Sequence, residues 1–541
     1  MPTKYIVILG SLMSGLGKGV VTSSILKTLD FYGYNAIPIK FDGYLNYDCG
    51  TMNPYRHGEV FVLDDKSEVD MDFGIYERFL NKEMTGDLSI TGGKLFGSVI
   101  NKERKGEFLG VDVQIIPHLT DEAITMIEKV ANTKKPDVII IEVGGTVGDI
   151  ENSYFIEAVR QLALKEKTLF INLTYSPVMN VVGEQKTKPA QLGFRMLLQS
   201  GIRPSFIICR SNTQLKEGTM EKLALFSNLN KEKVIDDSDL KSMYMLPTHF
   251  MKQNFDKMLI EELGLETKEI DSKKLEFWND KLSRIENPKR SVIIAVVGKY
   301  TGLKDAYASI SEAFVHSGAY NNAAVNIKWV ESSEIELNGI SMLDGVDGIL
   351  VPGGFGKRGI EGMITAIRYA RENKIPYLGI CLGMQLMAVE YARNVCMLED
   401  ANSFEFNENT KNGVISLMDS QKNITEKGGT MRLGLWNCKI TGENTIAYTA
   451  YKKTEIAERH RHRYEFNNEF REIMEQKGLI ISGTTTDNKL VEFIEWKDQF
   501  GIGTQAHPEL KSRLEMPAPL FIEFVKAALD KKKLITKFNC V

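Results

Sequence analysis

Two glycines flank Cys381 in Ile375-Pro-Tyr-Leu-Gly-Ile-Cys381-Leu-Gly-Met-Gln, an apolar run, a Gly-x-Cys-x-Gly turn and a helical stretch through Gln385, Ala388 and Tyr391. Such a turn pushes a nucleophile out at a helix N-terminus, where the local field favours thiolate. Thr504-Gln-Ala-His507-Pro-Glu509 follows a second apolar run. In extended chain, residues two apart point the same way, so Glu509 can orient His507 while His507 deprotonates Cys381. A third run, 348–351, delivers Pro352-Gly353-Gly354-Phe355. The Gly354 amide and that of Leu382, after the cysteine, are candidates to hold a tetrahedral oxyanion. These groups suit acyl transfer through sulfur.

A different chemistry is written near the N-terminus. An apolar run over 4–10 leads into Ser11-Leu12-Met13-Ser14-Gly15-Leu16-Gly17-Lys18-Gly19 and then a helical pattern through Thr22, Leu26 and Leu29. Strand, glycine-rich loop, lysine and helix wrap backbone N–H groups around phosphate oxygens. The pattern GxxxxGK[ST] is not met, because Leu12 stands at its first glycine and Gly19 at its Ser/Thr. A glycine-rich turn that merely starts a helix is the alternative from this loop alone. Without the hydroxyl, Mg²⁺ needs other oxygens, and Asp70, Asp72 and Glu142 are available carboxylates.

The elements that must position these groups alternate between strand-like and helical stretches, which predicts an α/β fold with mainly parallel sheets. Candidate strands are 4–10, 35–41, 137–143, 168–173 and 205–209, then 291–297, 348–351, 376–380 and 501–505. Residues 271–290 are charged, carry Leu275, Trp278, Leu282 and Ile285 at helical spacing, and end near Asn287-Pro288. The expected division is a first domain over 1–270, a linker over 271–290 and a second domain over 291–541. Each domain is expected to be a largely parallel sheet flanked by helices.

Composition excludes several classes. With 67 Lys+Arg against 71 Asp+Glu, the net charge is −4, which does not favour a generic nucleic-acid or anionic-membrane binder. The six cysteines form no CxxC pair or metal-ligand spacing, so reduced thiols in a cytoplasmic enzyme are expected. The apolar runs are strand-sized, Ser11 to Gly19 has no signal-peptide pattern, and Cys540 makes no prenylation box.

Taken in order, Gly10-Ser-Leu-Met-Ser-Gly-Leu-Gly-Lys-Gly, Gly50-Thr-Met-Asn-Pro, His57-Gly-Glu-Val-Phe-Val, Tyr76-Glu-Arg-Phe, Lys102-Glu-Arg-Lys-Gly, Gln114-Ile-Ile-Pro-His, Glu142-Val-Gly-Gly-Thr-Val-Gly-Asp-Ile-Glu and Lys186-Thr-Lys-Pro resemble the synthetase half of CTP synthases. That resemblance implies a P-loop domain similar to dethiobiotin synthetase, with Ser14, Gly15, Leu16, Gly17, Lys18 and Gly19 at ATP phosphates and Lys40 near the transferred phosphoryl group. It implies Asp72 and Glu142 for Mg²⁺. It also implies Ser14, Asp149, Ile150, Glu151, Lys186, Thr187, Lys188, Gln191 and Lys222 for UTP or inhibitory CTP, and His57 where ammonia enters.

The second half resembles class I glutamine amidotransferases, in which glutamine acylates the cysteine and releases ammonia. Gly354, Leu382, Gln385, Glu405 and Arg463 match glutamine-recognising positions. Phe355, Arg358 and Glu361 match a lid linked to GTP activation. The implied partners are UTP, ATP and glutamine, with self-association to a homotetramer and, in some relatives, stacked filaments.

The sequence departs from the family at Gly43 and Cys49, where proline is usual, at Ala308 for a common lysine, and at Ala506 for an aromatic. Gly43 and Cys49 are expected to loosen the loop beside the nucleotide site, and Ala506 to leave space. Two rivals stay open: a P-loop amidotransferase that amidates a carboxylate, similar to cobyric acid synthase, and an inactive filament scaffold.

Overall fold

A computed structural model describes residues 2–179, 183–418, 421 and 428–538. Cys540 lies outside the described residues. Its contacts divide the chain into two units: 1–49 with 75–279, and 50–74 with 280–541.

The first unit is built on seven strands, all paired in parallel. They are β1 (Lys4–Gly10), β2 (Ala36–Asp42), β3 (Ser89–Thr91), β4 (Val138–Val143), β5 (Thr168–Tyr175), β6 (Phe206–Ser211) and β7 (Val234–Ser238), in the order β7-β6-β5-β1-β4-β2-β3. The near-continuous Val/Ile/Leu runs of β1 and β4 are buried along most of their length, as strands covered on both faces require. Helices α1 (Lys18–Phe31) and α2 (Lys188–Gln199) follow two of the loops at the carboxyl ends of the strands. This is the edge where open α/β sheets take ligands.

The second unit carries β8 (Arg290–Gly298), β9 (Ala323–Glu331), β10 (Gly348–Val351), β11 (Tyr377–Ile380), β12 (Arg432–Ile440), β13 (Glu455–His462), β14 (Ile480–Thr484), β15 (Val491–Glu495) and β16 (Gly501–Thr504). Their order is β9-β8-β10-β11-β16-β15-β14-β12-β13. The pairings from β9 to β16 are parallel and those from β16 to β13 antiparallel, so this sheet is mixed and its parallel half carries the cysteine turn. Apolar residues of both faces form two core layers, one around Ile349, Met363 and Leu386, the other around Val296, Phe314 and Phe521.

One expectation changes. Residues 50–74 group with the second unit, not with the sequence half that contains them. The reason is packing: the short ribbon of Phe61–Val62 with Glu68–Val69 is bound to β12 and β13 through Asp64 and Glu68. The stretch 271–290 is helical, as the spacing of Leu275, Trp278, Leu282 and Ile285 predicts. Most of it is helix α3 (Ser272–Glu286), and the division between units falls inside it, after Asn279.

Trp278 shows why α3 is held. It is fully buried, stacks at an edge on Phe31 with ring centroids 6.1 Å apart, touches Phe79 and Tyr244, and donates Nε1–H to the Tyr244 carbonyl at 3.0 Å. The ammonium of Lys27 lies 4.8 Å from its ring centre. Trp278→Ala is therefore expected to cost about 3–5 kcal/mol in the stability of the first unit. Thermal unfolding followed by calorimetry checks it, with the transition of that unit moving down and Trp278→Phe moving it less.

Candidate active site

In the second unit, β11 ends at Ile380 and the chain turns through Cys381 into helix α4 (Leu382–Asn394). Cys381 takes φ 52° and ψ −101°, a strained conformation for a non-glycine residue, and its N–H donates to the Thr504 carbonyl on β16 at 2.7 Å. Strain of this kind lifts the side chain off the sheet edge. Sγ lies 3.6 Å from Gln505 Nε2 and 3.9 Å from the Arg461 carbonyl oxygen.

His507 follows β16 and donates its backbone N–H to the Arg459 carbonyl on β13 at 2.7 Å. Its Nδ1 lies 2.6 Å from Glu509 Oε1. Glu509 does not reach it from extended chain, as the sequence spacing suggested. Pro508 opens a short 3₁₀ turn over Pro508–Lys511, and that turn brings Glu509 back to the ring. Nε2 of His507 is buried with no hydrogen-bond partner, so it is left to face the thiol and a substrate. A Cβ on Gly353 would sit 2.8 Å from His507 Cε1 and 3.7 Å from Cys381 Cβ, so only glycine lets that backbone run beside the pair.

Burial works against charge on His507, but the negative charges of Glu509 and Cys381 outweigh it and push its pKa up to about 10. The ring is therefore held as imidazolium at neutral pH. A cavity of about 400 Å³ opens on this group, lined by Cys381, His507 and Glu509 with Gly354, Phe355 and Arg463. Leu382 is buried at the start of α4. Gln385 and Glu405 are not lining residues of the cavity. Gln385 donates to the Tyr464 carbonyl at 2.9 Å, and Glu405 accepts the Gly356 N–H at 3.0 Å. Burial raises the Glu405 pKa against the pull of that N–H and of Lys299. Arg463 donates to Gln421 Oε1 at 2.6 Å and Thr430 Oγ1 at 3.1 Å.

On the lid stretch, Arg358 binds Glu331, the Lys299 carbonyl and the Tyr55 hydroxyl, and Glu361 pairs with Arg393 at 2.8 Å. Phe355 is exposed and lies 5.3 Å beneath the Arg461 guanidinium. His57 is exposed at the end of the turn Pro54–His57 and does not line the cavity, whereas Pro54 and Val60 do. Ala506 is buried.

In the first unit, Gly15 and Gly17 adopt positive φ, Gly17 caps α1, and Ser14 and Gly15 are exposed. The first N–H groups of α1, from Lys18 and Gly19 onward, open towards this loop. Lys18 Nζ donates to the Gly145 carbonyl at 2.6 Å, and Lys40 Nζ to Glu142 Oε1 at 2.8 Å, with Tyr76 on the other Glu142 oxygen. Asp149 accepts from the Thr146 backbone and hydroxyl, and exposed Ile150 and Glu151 follow it. Lys186 pairs with Glu184 at 2.6 Å, Lys188 and Lys222 are exposed, and Gln191 bonds Thr187 while its buried Oε1 has no partner. Asp72, which groups with the second unit, opens the helix Asp72–Leu80, with its N–H bonded to Asp70.

Glu142 in the first unit and Asp72 in the second each carry hard carboxylate oxygens, the donor type that Mg²⁺ takes. Among the described residues there is no cluster of three metal-ligating groups. Gly43 is not loose: a Cβ there would lie 2.3 Å from Asn152 Oδ1 and 2.6 Å from the Glu151 carbonyl. Its missing side chain is the space into which Glu151 and Asn152 close.

Sequence reasoning missed Arg210 and Asp237, which with Gly15, Gly17, Leu240 and Met243 line a cavity of about 190 Å³ beside the glycine loop. They are register partners on β6 and β7, joined at 3.1 Å, and burial pushes the Asp237 pKa up to about 6 despite the guanidinium. Their place at the carboxyl ends of parallel strands was the available signal. Gln505 was also missed, although it lies between the strand and His507.

Known proteins agree with both halves. The CTP synthase N-terminus family matches residues 4–265, and the class I glutamine amidotransferase family matches residues 302–527. A CTP synthase of Caldanaerobacter subterraneus subsp. tengcongensis is 49% identical over 98% of this chain and 99% of its own length. The Pyrococcus abyssi CTP synthase is 48% identical over 98% of this chain and 99% of its own. A solved glutaminase domain of Trypanosoma brucei CTPS with bound acivicin is 38% identical, covering 44% of this chain and 94% of its own, with a TM-score of 0.42. With nearly half of all residues identical along almost the whole length, the chain belongs to the CTP synthase family.

Proposed function

We propose that this chain forms CTP from UTP, ATP and glutamine through two coupled sites, with the reaction of a glutamine-hydrolysing ligase. The observation that carries this reading is the buried Cys381, His507 and Glu509 group on its own cavity, in a chain that also carries the Lys18 phosphate loop.

At the glutamine site, Cys381 Sγ attacks the side-chain amide carbon. The Gly354 and Leu382 amides receive the oxyanion, and His507 gives its proton to the departing ammonia. Water then cleaves the thioester to glutamate. Gln385, Glu405 and Arg463 are assigned to glutamine's own polar groups, Arg463 by its position on the cavity.

At the synthetase site, the Ser14–Gly19 loop and Lys18 hold ATP phosphates, with the base at Arg210 and Asp237. Lys40 neutralises charge on the phosphoryl group as it moves to O4 of UTP. UTP is held by Asp149, Glu151, Lys186, Lys188, Gln191 and Lys222, the stretch that also suits inhibitory CTP. Asp72 and Glu142 are assigned to Mg²⁺ by resemblance to the family, and the ion when bound would supply charge neutralisation of the phosphates. Ammonia displaces phosphate from C4, arriving past His57. Phe355, Arg358 and Glu361 are assigned to a GTP-responsive lid. Exposed Leu192, Met196, Leu225 and Phe226 in the first unit support self-association to a tetramer. The cytoplasm is the matching compartment for these substrates.

Cys381→Ala is expected to lower glutamine-supported CTP formation by about a thousandfold or more, with ammonium-supported formation retained. Chromatographic measurement of CTP with each nitrogen source decides this. A folded native chain that makes no CTP from either source would return the carboxylate-amidating ligase and the scaffold to the front.

Glu509→Gln removes the charge that holds His507 protonated, and burial then drives its pKa down. A raised histidine pKa stabilises the fold fully below its ordinary value of 6.5, and that stabilisation fades as pH rises through about 10. The alkaline limb of glutamate release should therefore move to lower pH by about one unit or more in the variant. An alkaline limb that does not move would separate Glu509 from the state of His507.

A further inference from the structure

The cavity at Cys381 is not walled by the second sequence half alone. Gly50, Thr51, Met52, Pro54, Glu59 and Val60 also line it. What keeps this borrowed segment in place is a set of charged contacts from one face of β13. Arg459, fully buried, donates Nε–H to Asp64 at 2.5 Å, and its guanidinium lies 5.4 Å from the Phe61 ring centre. Two residues on, Arg461 donates Nε–H to Glu68 Oε1 at 2.8 Å and an NH2 proton to the Gly50 carbonyl at 3.2 Å. The side chain of Glu68 is 1% exposed, and its second oxygen is buried without a partner.

The backbone is fitted to the same contact. Leu435 N–H on β12 donates to the Asp64 carbonyl at 3.2 Å. Gly434 has φ 79°, and a Cβ there would lie 2.7 Å from Lys66 Cγ and 2.9 Å from the Asp64 oxygen. The two arginines also reach the reacting groups: the Arg459 carbonyl holds His507 N–H, and the Arg461 carbonyl faces Cys381 Sγ. A buried charge is costly without its partner, and each clip has one, Glu68 in the clip to Arg461 and Arg459 in the clip to the partly exposed Asp64, so each holds only while the segment is seated.

We propose that Asp64 and Glu68 are positioning residues that seal the glutamine cavity: their clips to Arg459 and Arg461 hold residues 50–74 as the wall that confines ammonia. The proposal rests on the reading of Cys381 as the glutaminase nucleophile. It assigns the seal to four charged groups, of which Arg461 lines the cavity and Asp64, Glu68 and Arg459 do not. A loosened wall then lets ammonia reach bulk water, where it is protonated and lost to the transfer.

The test is to measure glutamate and CTP together in the full-length Asp64→Asn, Glu68→Gln and double variants, with free ammonia assayed alongside. Glutamate per CTP should rise at least about threefold over the native chain in the double variant, the size expected when charge-assisted bonds become neutral ones. CTP formation from ammonium should stay within about twofold of native. Arg461→Lys, which keeps the charge but not the fork, should give a smaller rise and serves if the double variant does not fold. A native ratio in the double variant, or in Arg461→Lys where that is the folded one, overturns the proposal. So does an equal fall in glutamine- and ammonium-supported CTP, which marks a general structural role. A native chain that releases no glutamate would instead remove the glutaminase reading itself.

Discussion

Everything at the Cys381 group depends on setting a buried carboxylate beside an imidazole. Glu509 is buried and His507 is partly so, and away from water neither charge is stable alone. Joined at 2.6 Å, they stabilise each other, and the pair sets the direction of Nε2. Nothing in the 3₁₀ turn after Pro508 makes sense as local preference, since a two-residue loop could have left Glu509 in solvent. The turn is held by its neighbours: Arg459 receives His507 N–H and donates to the Leu510 carbonyl at 3.3 Å.

Strand β13 serves this arrangement on both faces. Its odd residues Arg459 and Arg461 bind the borrowed segment, while His460 and His462 point to the opposite side, as the period of two demands. There they meet Glu492 and Arg432, which pair at 2.7 Å. Burial, with Arg432 adding to it, drives both histidines to the neutral form, His462 to about 3. They therefore accept and donate hydrogen bonds without adding positive charge to a strand already rich in arginine. Neutral histidine is the side chain that fills this space without competing with His507 for Glu509.

Much of this was legible from sequence because it is local. The turn at Cys381 and the loop before Lys18 lie within ten residues of the strands that aim them, and those strands fall within one or two residues of the expected ends. What could not be read is what depends on distant pairing. Residues 50–74 look like first-half sequence until Arg459 and Arg461 are found nearly 400 positions away. Arg210 and Asp237 are ordinary charges until β6 and β7 become neighbours. Gly43 reads as a loosened proline site, because what fills its space is the Glu151 backbone and the Asn152 side chain, more than a hundred positions away. The antiparallel flank of the second sheet was missed for a similar reason: β12 to β15 mix charged and apolar residues, and their pairing supplies what their pattern does not.

The two proposed sites lie at the carboxyl ends of parallel strands, yet the chemistries proposed for them place opposite demands on water. Phosphate transfer needs a site that large charged nucleotides can enter, so the glycine loop is exposed at Ser14 and Gly15, with Lys18 and Lys40 buried behind it. Thiol chemistry that yields ammonia needs the reverse, because ammonia released into water near neutral pH becomes ammonium and is no longer a nucleophile. Cys381 is accordingly 5% exposed, and its cavity takes a wall from residues 50–74 as well as from the sheet that carries it. A glutaminase domain cut at the sequence boundary would keep its nucleophile and base but lose that wall. On the proposed reading, confinement of ammonia would be a property of the whole chain, written in charged pairs that neither half contains by itself.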